Sequence, residues 1–174
     1  VFTATDYLVW EATQLDRHEY LDGEVFAMAG AEDRHNTVAC NLAIALRQHL
    51  SGSAYRTYMS AMRLHVAAAN SYFYPDLLVT CSALDLASPL VKTEPTLIVE
   101  VLSPSTAAYD RGLKFSHYRS LASLQEYLLI DLDSRACDCY RLGADGLWVL
   151  HPFRSGQEVS LASVALTLSA AQLF

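Results

Sequence analysis

YPDLLVTC (Tyr74–Cys81) and, after a polar spacer, TLIVEVLSPSTAAYDRGLK (Thr96–Lys114) are the stretches from which the architecture can be argued. Thr96 to Leu102 is a β-branched and aliphatic run interrupted by one acid, Glu100. An uncompensated carboxylate inside such a strand costs several kcal/mol. A second acid, Asp76, follows Tyr74 and Pro75 at the head of another apolar run, Leu77-Leu78-Val79. If the two runs pair as neighbouring strands, both carboxylates reach the same end of the sheet, about 4 to 6 Å apart, where like charges call for a cation. Oxygen-only ligation selects Mg²⁺ or Mn²⁺ over zinc, and a hard cation between two carboxylates is suited to attack on a phosphodiester.

The 174 residues suit one domain over 1–174, and no linker divides them. Hydrophobic residues make up 52% and charged residues 18%, a compact globular composition. With no apolar run of about 18 residues, no membrane span is expected. Val1–Gln14 has neither the basic start nor the apolar block of a secretory signal, so a cytoplasmic location is expected. Cys40, Cys81, Cys137 and Cys139 form no C-x-x-C pair, and read as reduced, structural cysteines. The net charge of −7 argues against a protein that coats nucleic acid by bulk electrostatics. It does not exclude a metal-dependent nuclease, because a bound ion neutralises carboxylates that the formula counts as negative.

Along the chain, Thr5 or Asp6 is the expected cap of an opening helix. Asp22-Gly23 between short apolar runs is a hairpin signal, and alternation puts Glu24, Phe26 and Met28 on one face. Glu24 there is either a solvated rim residue or part of the acidic site. Val38, Leu42, Ala45 and Leu46 recur at helical spacing within Asp33–Leu50. His35 falls in the first turn, either exposed and capping or in reach of a phosphate, and Asn41 reads as polar surface. Three strand-like pieces follow, AYRTYMS, MRLHVA and FYPDLLVTC, then a polar loop over 85–94. A helix is expected over Asp110–Leu121, with Asp110, Lys114 and Tyr118 on one face at i, i+4, i+8. EYLLIDLD, ACDCYRLG and DGLWVLHPF read as strands, and the apolar tail Val159–Phe174 as a segment that pairs or docks.

Pro75-Asp76, Glu100-Val101-Leu102-Ser103-Pro104-Ser105-Thr106, then Asp110, Lys114, Tyr118 and Glu126–Asp131 resemble the Uma2 family of the PD-(D/E)xK nuclease superfamily. His18–Val25 and His35 with its helix extend the resemblance over nearly the whole chain, and the string from Glu100 to Lys114 is its most specific part. The resemblance implies an α/β (α+β) fold: a restriction-endonuclease-like core with a central mixed β-sheet flanked by helices, plus N- and C-terminal β-hairpin additions. It implies Asp76 and Glu100 as metal ligands, with the backbone carbonyl of Val101 and, from the N-terminal part, Glu24. The superfamily's usual lysine lies two residues after the Glu, where this chain has Leu102, and the amine looks to have moved to Lys114.

The implied activity is Mg²⁺- or Mn²⁺-dependent endonucleolytic hydrolysis of DNA, with Asp76, Glu100, Lys114 and Glu24 catalytic. His35, Tyr118 and Arg111 are the candidate substrate contacts. A homodimer is expected, with Val159–Phe174 offering the surface. The alternative is a catalytically idle nuclease-fold module used for binding or scaffolding, favoured by Leu102. A carboxylate-pair glycosidase lacks an aromatic sugar platform.

Overall fold

The computed structural model describes residues 2–28 and 30–174. Helix α1 (Ala4–Glu11) opens one residue or more before the expected cap: Thr3 is the N-cap, in a reciprocal capping box with Asp6. Strands β1 (His18–Leu21) and β2 (Glu24–Ala27) form the expected hairpin. Both of its turn residues, Asp22 and Gly23, have positive φ, as a tight two-residue turn requires. Helix α2 runs over Asp33–His49.

Strands β3 (Arg56–Met59) and β4 (Arg63–Val66) follow, and the third expected strand is split into β5 (Ser71–Phe73) and β6 (Leu77–Thr80). Pro75 has no N–H to give a ladder, and here the chain leaves one sheet for another. The stretch expected as loop contains a short helix, α3 (Ala83–Ala87), capped by Ser82, and strand β7 (Val91–Lys92). Strand β8 (Leu97–Leu102) leads into α4 (Ala107–Tyr109), a π-helical turn (Asp110–Lys114) and α5 (Phe115–Tyr118). Strands β9 (Glu126–Asp131), β10 (Ala136–Leu142) and β11 (Trp148–Phe153) come next. The tail forms β12 (Val159–Leu161), β13 (Leu166–Leu168) and α6 (Ala170–Leu173).

The architecture is mixed α+β, with two large mixed sheets rather than one central sheet. A six-stranded sheet has the order β11-β10-β9-β8-β6-β3, and a five-stranded sheet the order β2-β1-β5-β4-β7. The N-terminal hairpin is therefore the edge of the second sheet, and β12 and β13 pair separately. Within the larger sheet β8 and β9 are parallel, so a crossover must join them; α4, the π turn and α5 supply it.

Strand alternation sorts the core. Leu97, Val99 and Val101 face α2 through Val38, Leu42 and Leu46, in a cluster that also holds Val159, Leu161, Leu166, Leu168 and Leu173. Ile98 and Leu102 face the crossover residues Phe115 and Tyr118, with Leu64 and Phe73 of the second sheet. Glu100, sharing the parity of Ile98 and Leu102, must point the same way. The apolar tail expected to offer a dimer surface is thus consumed in this chain's own core. Asn41, read as surface, instead donates to the Leu173 carbonyl at 3.1 Å and helps hold the tail. All four cysteines are free, Cys137 and Cys139 buried on one side of β10. No helix among the described residues is long and apolar enough to cross a membrane.

Glu126 ties the tail to the sheet. Its buried carboxylate accepts from Arg141 Nε at 2.7 Å, from the Ala162 N–H at 3.0 Å and from the Ser163 N–H at 2.7 Å. Replacing it strands several donors at once. Glu126→Ala is expected to lower the unfolding free energy by about 3 kcal/mol in urea titration, and Arg141→Ala by less than half of that, because the guanidinium is partly solvated.

Candidate active site

The site forms where the chain passes between the two sheets. Strand β5 ends at Phe73, Tyr74-Pro75-Asp76 crosses the gap, and β6 begins at Leu77. Leu77 pairs with Val99 in the antiparallel ladder of β6 and β8, so Asp76 comes opposite Glu100. The two are in contact: the Asp76 N–H lies 3.4 Å from Glu100 Oε2, and Asp76 Oδ2 accepts the Val101 N–H at 2.7 Å. These two acids therefore share one end of the sheet.

The crossover brings the cation. Lys114 Nζ lies 2.9 Å from Glu100 Oε1, 3.1 Å from Glu19 Oε1 and 3.6 Å from Asp110 Oδ1. Tyr118 donates its hydroxyl to Glu100 Oε1 at 2.9 Å. Glu19 comes from β1 of the second sheet and also accepts the Tyr74 N–H at 3.3 Å, so it fixes the crossing strand as well as the lysine. His35, at the start of α2, places Nε2 3.2 Å from Asp76 Oδ2.

Burial governs the protonation of the group. Glu100 is only 4% exposed, and burial pushes its carboxyl up to about 8; the Lys114 ammonium opposes the rise, and Asp76, Asp110 and Glu19 add to it. Burial likewise raises the Asp110 carboxyl. For Lys114 burial acts downward, but the surrounding carboxylates outweigh it and keep the amine charged, well above its ordinary value. The hydrogen bond to Asp76 raises the His35 imidazole against the opposing effect of burial.

The expected residues are not all assembled in the same way. Asp76, Glu100, Lys114 and His35 meet directly, and Val101 lines the cleft beside them. Glu24 lines the same cleft from β2 but is exposed and opposite Leu21 on the hairpin, outside the hydrogen-bonded cluster. Tyr118, expected at the substrate, is fully buried and serves Glu100 instead. Arg111, also expected there, turns away to pair with Asp138 on β10. Glu19 went unassigned in the sequence. The available signal was its parity: it shares a hairpin face with Leu21, Glu24 and Phe26.

Four acidic groups, Glu19, Asp76, Glu100 and Asp110, thus crowd around one ammonium and one imidazole. Among the described residues no three His, Cys, Asp or Glu side chains already stand as a metal-binding group. The ligand set that the family resemblance implies, the Asp76 and Glu100 carboxylates with the Val101 carbonyl, is all-oxygen, and here the His35 imidazole lies within hydrogen-bonding reach of that carbonyl. Such a set fits a cation such as Mg²⁺, which usually keeps several waters and takes one or two protein carboxylates. The cleft above has a volume of about 930 Å³.

Comparison with known proteins agrees with this frame. The crystal structure of a protein described as "a putative nuclease belonging to DUF820", from Anabaena variabilis, superposes with a TM-score of 0.82 over 99% of this chain and 97% of that one; at 18% identity the likeness establishes the fold. An uncharacterized protein of Synechocystis is 37% identical over 164 residues, covering 94% of this chain and 86% of its own length. A second uncharacterized protein of that organism is 38% identical over 152 residues, 86% of each. The sequence pattern of the Uma2 family, described as "Putative restriction endonuclease", matches residues 4–171, and the chain belongs to that family.

Proposed function

We propose that this chain is a Mg²⁺- or Mn²⁺-dependent endonuclease that hydrolyses DNA phosphodiester bonds in the cleft between its two sheets. One observation carries the reading: Asp76 and Glu100 meet at the end of adjacent strands with the Lys114 ammonium 2.9 Å from Glu100. The family's description and the fold of the Anabaena protein support the same class of chemistry.

Asp76, Glu100 and the Val101 carbonyl would hold the ion, with Glu24 lining the same cleft. When bound, such an ion lowers the pKa of a water and offsets charge on the phosphoryl oxygens. Lys114 keeps its proton and presents it to a phosphate oxygen or to the lone pair of the attacking water. Tyr118 fixes the rotation of Glu100 through its hydroxyl. His35 does the same for Asp76.

Leu102, at the superfamily's usual lysine position, is the residue that favours an idle fold. It is buried against the crossover, and in this reading Lys114, 2.9 Å from Glu100, supplies the ammonium instead.

Purified protein should nick or linearise supercoiled plasmid only when Mg²⁺ or Mn²⁺ is added. Glu100→Gln and Asp76→Asn should each lower the rate by roughly 10² to 10⁴ while circular dichroism stays unchanged. Cleavage in chelator, or cleavage surviving Glu100→Gln, overturns the reading. Tyr118→Phe should cost about 1 kcal/mol in stability and reduce kcat about fivefold at unchanged KM, since only the positioning of Glu100 is lost. Glu24→Gln should reduce the rate less than Asp76→Asn does, as measured in single-turnover cleavage.

A further inference from the structure

The geometry points to a short single-stranded segment of DNA, a few nucleotides long, as the occupant of this cleft, in preference to an intact duplex laid across it. The inference rests on the nuclease reading above and concerns which form of DNA the site accepts.

Size comes first. At about 930 Å³ the cleft lies at the upper end of the range for small-ligand pockets, about 300–1,000 Å³. That volume suits a few nucleotides, whereas a duplex needs a long continuous surface.

The walls come second. Leu21, Phe26, Met28, Met59 and Leu113 line the cleft, and Phe26 remains 47% exposed at the edge of the second sheet. Apolar and aromatic faces suit unstacked bases, which are available in a single strand and turned inward in a helix.

Charge comes third. A protein that tracks a duplex typically makes about 6–10 phosphate contacts through lysine and arginine. Among the described lining residues the basic groups are Lys114 and His35, and both are bound to carboxylates. The rim presents Glu24 and Glu32, and the nearby Arg34 is paired with Asp133 at 2.9 Å and Glu32 at 3.4 Å. A duplex backbone crossing this rim meets like charge. A single strand, free to turn about its backbone, can place its bases on Phe26 and keep most of its phosphates clear of that rim.

The test uses the full chain and fluorescently labelled oligonucleotides of about eight nucleotides, the scale of one stacking groove, single-stranded or as the duplex of the same sequence. With Ca²⁺ as the oxygen-seeking ion, anisotropy should show the single strand bound at least about tenfold more tightly, and log K should fall with log salt at a slope of about −1 to −2, shallower than a duplex-tracking protein. Phe26→Ala should weaken single-strand binding roughly 5- to 100-fold, and Phe26→Trp should restore it. Equal or tighter duplex binding, or Phe26→Ala without effect, overturns the inference. Cleavage with Mn²⁺ is scored separately. Duplex cut as fast as single strand overturns the inference and leaves the nuclease reading intact. Single-strand binding as expected without cleavage supports the inference and overturns the nuclease reading.

Discussion

One buried ammonium organises this protein. Lys114 is held between Glu100 of the six-stranded sheet, Glu19 of the five-stranded sheet and Asp110 of its own crossover. A lone charge in that position would be strongly unfavourable, and so would any of the carboxylates without it. The two sheets and the crossover are therefore tied by a set of charges that are tolerable only together. The acidic groups that the lysine leaves unmatched are what the proposed divalent ion would offset.

The hydrophobic layers explain why the charges meet. Strand β8 alternates strictly: Leu97, Val99 and Val101 are committed to α2, while Ile98 and Leu102 are committed to the crossover. Glu100 has no choice of face, because rotating it away would expose its neighbours on both sides. Tyr127 reinforces the arrangement from β9, donating its hydroxyl to the Asp110 carbonyl at 3.0 Å and anchoring the crossover over the sheet. Packing thus positions the acids before any ion or substrate is present.

Much of this was legible in the residues. Glu100 announced itself as a carboxylate in an aliphatic strand, and Asp76 as an acid at the head of the strand that pairs with it. The hairpin at Asp22-Gly23 and the long helix α2 followed from turn chemistry and periodicity. Lys114 was readable as one position of a stripe with Asp110 and Tyr118, but its aim at Glu100 depended on a crossover that local pattern does not specify. Glu19 was harder still, because an acid alternating with apolar residues on a hairpin strand looks like any solvated face, and its partner lies 95 residues further along. The division into two sheets hid in Pro75, where a break in the ladder and a change of sheet look the same in sequence. The apolar tail was ambiguous in kind: hydrophobicity demands a cover but does not say whether the cover is the chain itself or another copy.

The wide helical turn over Asp110–Lys114 has a bearing on how this family can vary. An ordinary α-helix advances about 100° per residue, and a π turn accommodates one residue more than its α counterpart. Deleting a single amino acid here would let the turn close as ordinary α-helix with the downstream half facing much the same way, and a second deletion would swing that half through roughly that angle, separating Tyr118 from Glu100. Length in these few positions is therefore under a tighter restraint than side-chain identity at Leu113 or Gly112, both of which stand at the surface.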